Sequence, residues 1–455
     1  MSTIEQARNR ASPPEAVDGA AVVRKVAWRL MWFIMALYFL AILDRGNISF
    51  AALSMNKALG LNASMFGIAV GVMYFTYALF EIPSNLLLAR FGARATLTRI
   101  AVLWGIATLL MAFTTGPATL YLFRGLLGFA ESGLFPGVML MLSLWFPFAY
   151  RARYNAMFSY AVPISYVCAS LISGAILELD GTLGIAGWKW LFLIEGVPPI
   201  LLGIIGMFYL TDRPGAATWL TAAEKAWLAA QLEREADTMG TVHGAGILQT
   251  LAQPMVILFA LCNFGLFCGL ASLLPWLPTL LRSHGLSVSQ VGLLTAIPPL
   301  VGLAGMILLS WHSDRVGERF FYAAATFGLA ALGFVIAGSA TGVAWIICGF
   351  AIANVGVYGT QAIFWTIPQS FLSRSAAPGA IGAVGMLGSI GGSTIPIAIG
   401  RIKDGTGSYA GGFYLVAAVL IAGGILTLSS RPYLLRSRVT TPLGDQSVPA
   451  TSELS

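Results

Sequence analysis

Charge is what this sequence has least of. Only 10% of its 455 residues are Asp, Glu, Lys or Arg, against about 25% in an ordinary soluble domain. A soluble fold is excluded, because nothing could cover so much apolar surface. Histidine is down to three residues and cysteine to four. Cys168, Cys262, Cys268 and Cys348 lie scattered in apolar runs without metal-ligand spacing, so free, buried thiols are expected and no metal site. His243, His284 and His312 are expected in loops, together with every lysine. A proton carrier at membrane depth must then be a carboxylate. A long polar stretch is lacking too. The longest, 211–250, is too short for an added soluble domain and contains no nucleophile–base set. An enzyme is therefore not expected, and no cofactor is implied. The Gly-rich run 382–392 has no strand–turn–helix context and reads as close helix contact, not a phosphate loop.

What is present is apolar residue: 57% of the chain. Runs of about 20 such residues recur along the whole length, each enough to span a bilayer as a helix. The chain is expected to be an all-α membrane protein with twelve transmembrane helices. They fall roughly at 28–53, 65–89, 96–114, 118–146, 156–178, 188–210, 252–281, 289–311, 320–340, 342–371, 379–401 and 411–430. Five regions follow. Residues 1–27 and 431–455 are polar tails, 28–210 and 251–430 are two six-helix bundles, and 211–250 is a central loop. The tail to residue 27 and the stretch from Ser437 read as unstructured. Within the loop, Thr221-Ala-Ala-Glu224 reads as a capping box opening a short polar helix. No cleavable signal precedes the first span, because the run that follows is too long for one.

Lys and Arg set the orientation. Of 26 such residues, Lys57, Lys189, Arg282, Arg401 and Lys403 fall in alternate loops, and Arg45 and Arg124 lie inside apolar runs. All the others share the side of the two termini, which is expected to be cytoplasmic. The net charge of +7 is thus a topological signal and needs no nucleic acid. The halves echo each other. Arg90, Gly92 and Arg94 follow the second span, and Asp314, Arg315, Gly317 and Arg319 follow the eighth. Two similar six-span halves place a substrate site between them near the midplane.

Four ionisable residues break the apolar runs: Asp44 and Arg45 in the first span, Arg124 and Glu131 in the fourth. Such groups are costly at that depth and usually functional. At about 1.5 Å rise per residue, Asp44, Arg45 and Arg124 share a level, and Glu131 lies about 10 Å deeper. A balanced cluster is expected. Arg45 would take a substrate carboxylate through its planar fork. Arg124 would couple Glu131 to that site, and Asp44 and Glu131 would carry protons. The bland alternative is a static lattice holding two helices together, a poor source of stability because desolvation offsets the Coulomb gain. Glu195 reads as a structural partner and Glu81 as a gate or loop anchor. Tyr38, Tyr74 and Tyr77 could line the cavity as hydroxyl donors. In the second half, Asn263 stands on span seven. Asn354, Tyr358, Gln361 and Trp365 share one helical face of span ten. Asn and Gln there suit substrate hydroxyls, with interhelical contact as the alternative.

The sequence resembles the major facilitator superfamily. Ser313-Asp314-Arg315-Val-Gly317-Glu-Arg319 fits its loop signature, and the first-half copy has Ala89 at the place of the acid. More narrowly, several stretches are similar to the anion:cation symporter branch, the permeases of sugar acids, tartrate and aromatic carboxylates. They are Leu43-Asp-Arg-Gly-Asn-Ile48, Glu81-Ile-Pro-Ser-Asn85, and Arg124 through Gly125, Gly128 and Glu131 to Pro136-Gly137. Trp145-Phe-Pro147 with Arg151-Ala-Arg153, and Trp188-Lys-Trp-Leu-Phe192 with Glu195-Gly196, extend the likeness over about residues 25–430. The resemblance implies the major facilitator fold, two pseudo-symmetric bundles in the inner (plasma) membrane. It implies proton-coupled uptake of a small organic anion by alternating access, with a monomer as the working unit. Members often carry an Asn in span eleven; here Ser389, Ser393 and Thr394 stand in the Gly-rich stretch. Two other readings stay open. Organic-phosphate exchange needs a more basic centre, and drug efflux needs a largely apolar cavity.

Overall fold

The structure, a computed structural model, describes residues 17–239, 253–367 and 377–440. Helices joined by short turns account for it, with no strand among the described residues. The first half holds Gly19–Ala58, Ala63–Leu88, Arg90–Met111, Pro117–Trp145, Phe148–Leu177 and Gly187–Tyr209. A polar helix, Ala222–Met239, follows. The second half holds Pro254–Arg282, Val288–Val316, Phe320–Ser339, Val343–Phe364, Ala377–Thr406 and Ala410–Thr440. We number these twelve as spans one to twelve. On the described residues, eleven are long and apolar enough to cross a bilayer, and Ala377–Thr406 completes the set.

Several boundaries differ from the sequence reading. Span one starts at Gly19, so residues 19–27 are helical and not an unstructured tail. The Asp18 carboxylate caps the helix, accepting from the Ala20 and Ala21 amides at 2.9 and 3.2 Å. Val22, Val23 and Val26 are buried, and Lys25 pairs with Glu224 of the polar helix at 2.8 Å. The partner surface that buries those valines is far away in sequence, so local polarity misled. Span four is not continuous. It breaks after Glu131 into Pro117–Glu131 and Leu134–Trp145, and Gly133 takes φ 84°. The Ser84 hydroxyl of span two donates to the freed Ser132 carbonyl at 2.7 Å. Of the cysteines, all free, only Cys262 and Cys268 are buried; Cys168 is partly exposed and Cys348 exposed, for apolar residues on a membrane bundle also face outward. His312 lies in the last turn of span eight, not in a loop; His243 lies outside the described residues. The capping box of the polar helix forms as expected, with Thr221 and Glu224 exchanging hydrogen bonds at 2.7 and 3.2 Å.

The two basic turns show how the halves echo. In the second, Gly317 takes φ 73° and Asp314 lies 3.5 Å from Arg319, while Arg315 stacks over Trp311. In the first, Gly92 takes φ 83° and Arg90 stacks over Phe91. The acid missing at Ala89 is supplied from elsewhere. Asp212, just beyond span six, accepts from the Arg94 amide at 2.9 Å, and the Arg94 guanidinium holds the Met207 carbonyl.

The halves meet most closely on the side opposite the termini. Span two crosses span eleven there, and a Cβ on Gly67 or Gly71 would collide with the Pro396 or Ser393 carbonyl. Gly174 of span five lies against Gly292 of span eight. Phe66 and Trp276 add an edge-to-face contact at 5.3 Å. A latch completes the closure: Asp404, past the apolar part of span eleven, accepts from the Ala63 and Ser64 amides at 3.1 and 2.8 Å. It thus caps span two from the other half, where a helix N-terminus favours negative charge. Partial burial opposes ionisation, but the hydrogen bonds from Ser64 and Ala63 outweigh it and hold the Asp404 carboxyl below its usual range. Its contribution is therefore present above the ordinary carboxylate range and is lost as pH falls through the lowered value. Asp404→Asn keeps an acceptor but loses the charge, and should weaken this closure by about 0.3–1 kcal/mol. Distances between spin labels on spans two and eleven should then show a larger population open on that side; an unchanged distribution would dismiss the latch.

Candidate functional site

A cavity of about 400 Å³ lies between the halves. Spans one, two and four supply one wall, with Tyr38, Arg45, Tyr74, Tyr77, Glu81, Asn85 and Phe135. Spans seven, ten and eleven supply the other, with Phe267, Gln361, Trp365 and Ser389. It extends toward the side of the termini, where Asn85 and Met139 border it. Three tyrosines, an amide on each wall and a serine give it hydrogen-bonding capacity beside aromatic faces.

Arg45 is its only cation among the described residues. Its Nε and one terminal nitrogen each lie 2.8 Å from Glu131 Oε2. The pair is asymmetric in exposure: 18% for the Arg45 side chain and none for Glu131. Both contacts use one edge of the guanidinium and one carboxylate oxygen. A guanidinium has five N–H donors in a planar fork, so a second edge remains for an anion in the cavity. Tyr77 presents its ring to the cation, with the Arg45 Cζ 5.1 Å from the ring centroid. Glu131 is the last residue before the break in span four, so the ion pair joins span one to a discontinuity of span four. The sequence spacing of Arg124 and Glu131 holds within one unbroken segment, but nothing in it signals the break beyond Gly133 itself.

The other two charges do not join this pair. Asp44 turns away from the cavity, and its Oδ1 accepts from Thr108 of span three at 2.9 Å and Asn47 at 2.8 Å. Arg124 is 1% exposed and does not border the cavity; its Nε donates to the Ala69 carbonyl of span two at 3.1 Å. The expected cluster of four is thus split, because adjacent residues 44 and 45 sit about 100° apart around a helix. The expected polar face of span ten divides likewise. Gln361 and Trp365 border the cavity. Asn354 and Tyr358 are buried against Gly302 of span eight, and the Asn354 amide donates to its own helix at Phe350. Asn263 is buried and donates to the Val384 carbonyl at 2.8 Å, joining span seven to span eleven. Ser393 is buried where spans eleven and two cross. Glu81 borders the cavity itself, which its position near a helix end did not indicate; Phe135 and Phe267 were not singled out in the sequence, since no spacing separates them from core aromatics.

Twelve membrane helices in two halves, with a charged cavity between them closed on one side, follow the plan of a transporter. Comparison with known proteins agrees. Residues 34–396 match the Major Facilitator Superfamily. A protein of Agrobacterium vitis named as a tartrate transporter is 44% identical over 409 residues, which is 90% of this chain and 91% of that protein. The quinolone resistance transporter of Acinetobacter baumannii is 33% identical over 92% of this chain and 97% of its own. Among solved structures, an inward-facing, unoccupied bacterial homologue of the human lysosomal transporter Spinster superposes with a TM-score of 0.72. It covers 95% of this chain and 100% of its own at 19% identity, which speaks for the fold alone. The chain belongs to the major facilitator superfamily, and the twelve-helix reading of its sequence holds.

Proposed function

We propose that the protein imports an organic carboxylate together with protons, by alternating access across the plasma membrane. One observation carries the reading: Arg45, the cavity's single cation among the described residues, is half engaged by a fully buried carboxylate, Glu131. An anion arriving at the free edge of Arg45 draws positive charge away from Glu131. A buried carboxylate that loses its counter-charge takes a proton. Anion and proton binding then favour each other, and that mutual preference is symport. The likeness to a protein named as a tartrate transporter supports a carboxylate substrate. Gln361, Ser389 and the tyrosines suit hydroxyls on it. The excess of Lys and Arg on the side of the termini supports cytoplasmic tails, so the closure at spans two and eleven is external and the cavity faces inward. We expect the two bundles, 28–210 and 251–430, to move about this site as units, in a monomer.

Uptake should follow a pH gradient, inside alkaline. Labelled tartrate and aromatic carboxylates, offered to proteoliposomes, test this directly. Net concentrative uptake undiminished by a proton uncoupler would exclude proton coupling. Drug efflux has one feature in its favour, the aromatic faces of Phe135, Phe267 and Trp365, alongside the quinolone-linked relative. It predicts outward flux of compounds without a carboxylate, unaffected by loss of Arg45.

A further inference from the structure

A second cleft, of about 420 Å³, opens on the closed side, over the crossing of the two halves. It shares no lining residue with the central cavity. Three cations border it: Lys57 in the last turn of span one, Arg282 at the end of span seven and Lys403 in the last turn of span eleven. Each suits the helix end where it stands, because a helix C-terminus favours positive charge. That accounts for each cation alone but not for their meeting. Of the five Lys and Arg residues in loops on this side, three line the one cleft, and they come from both halves. Among the described residues none of the three is ion-paired. Asp404, the acid that borders the cleft, gives one oxygen to the Ala63 amide and the other to the Ser64 amide. Lys403 holds the Gly407 carbonyl and stands 4.9 Å from the Tyr409 ring centroid, and Arg282 holds the Leu286 carbonyl. Each keeps further donors. A neutral donor joins them. Trp276 borders the cleft, packed against Phe66 at 5.3 Å and Tyr409 at 5.5 Å. It is 1% exposed, and its indole N–H is buried without a partner. An indole only donates, so an acceptor is what this cleft lacks.

Closure therefore carries an electrostatic cost. It gathers Lys57 of the first half into one cleft with Arg282 and Lys403 of the second, and like charges repel. Three cations against one engaged carboxylate leave an excess of two positive charges. We propose that this cleft binds a small dianion, a dicarboxylate or sulfate, and that the bound anion holds this side closed. Seated between cations of the two halves, it turns repulsion across the closure into attraction. When the side opens, the cations part and the site comes apart. An anion that binds only the closed form shifts the population toward it. Asp404 closes the same side from within the chain; this second contact depends on the solution that bathes the cleft. Its role rests on the alternating-access reading, its existence does not.

Labelled sulfate reads the site, and distances between spin labels on spans two and eleven read the closure. Arg45→Ala removes the central cation, so binding in that background reports the cleft. Saturable sulfate binding should persist there. It should weaken about tenfold or more with each of Lys57→Gln, Arg282→Gln and Lys403→Gln, the scale of one charged hydrogen bond. Lys189→Gln changes a cation on the same side but away from the cleft, and should leave binding as it was. No saturable binding, or an equal loss with Lys189→Gln, overturns the site. In the wild type, sulfate and tartrate should both enlarge the closed population, against chloride at equal ionic strength. An equal effect of chloride means screening alone and overturns the proposal. So does a tartrate effect that Arg45→Ala abolishes, because it then belongs to the central cavity. Lys57→Glu builds negative charge into the cleft. It should close this side without a dianion and remove the response to sulfate. An undiminished response there overturns the lock, even if a glutamine variant fails to fold. Failure of carboxylate uptake in the wild type would sink the transport reading and leave these results standing.

Discussion

Arg45→Lys should lower uptake at subsaturating substrate about 100-fold or more while the protein still folds. Arg45 places two nitrogens on Glu131 Oε2, each at 2.8 Å, and keeps a second edge for the cavity. Lysine keeps the charge but offers one ammonium, which cannot hold Glu131 and an anion in the same fixed geometry. Hydrogen bonds to charged groups are worth about 1.5–3 kcal/mol each. Loss of two of them in the loaded state gives a fall of that size. Stability should change little, because Lys can still neutralise Glu131. Initial uptake rates in proteoliposomes, set beside thermal unfolding of the same preparation, check both halves of the claim. Wild-type affinity in the lysine variant would reduce Arg45 to a structural charge.

Glu131→Gln should separate exchange from accumulation. Glutamine retains an oxygen to accept from Arg45 but cannot gain or lose a proton, so it stands for the protonated state. A carrier held in that state can bind an anion and swap internal for external substrate, since neither step needs proton release. It cannot return empty with its charge reset. The accumulation ratio driven by a pH gradient should therefore collapse toward unity, from the tenfold per pH unit that each coupled proton supplies, as 1.36 kcal/mol per unit. Vesicles loaded with unlabelled anion report exchange, and empty vesicles under a pH gradient report accumulation. If both fluxes vanish while binding survives, Glu131 serves the conformational change itself, as its place at the break in span four would allow. If both persist, the coupling proton resides elsewhere, and Asp44 is the next residue to examine.

These two variants rest on residues that a reader of the sequence would choose, and the reason is physical. Arg45 and Glu131 stand out because ionisable groups in runs of hydrocarbon are expensive whatever surrounds them. Helix number, the two halves and the side of the basic turns are likewise carried by local composition, since hydropathy and charge act along the chain. Depth along a helix was less legible: a fixed rise per residue put Glu131 about 10 Å below Arg45, yet the two meet at 2.8 Å. The angle around each helix was not legible. Asp44 and Arg45 are neighbours in sequence, yet one faces Thr108 and the other the cavity. Asn354 and Gln361 share a helical face by spacing, yet one meets Gly302 and the other borders open space. Asp212 replaces an acid missing 123 positions away at Ala89, counted along the sequence. In each case the decision belongs to contacts between distant segments. Spacing fixes which side chains point together, but only the way the two halves close against each other decides what they point at.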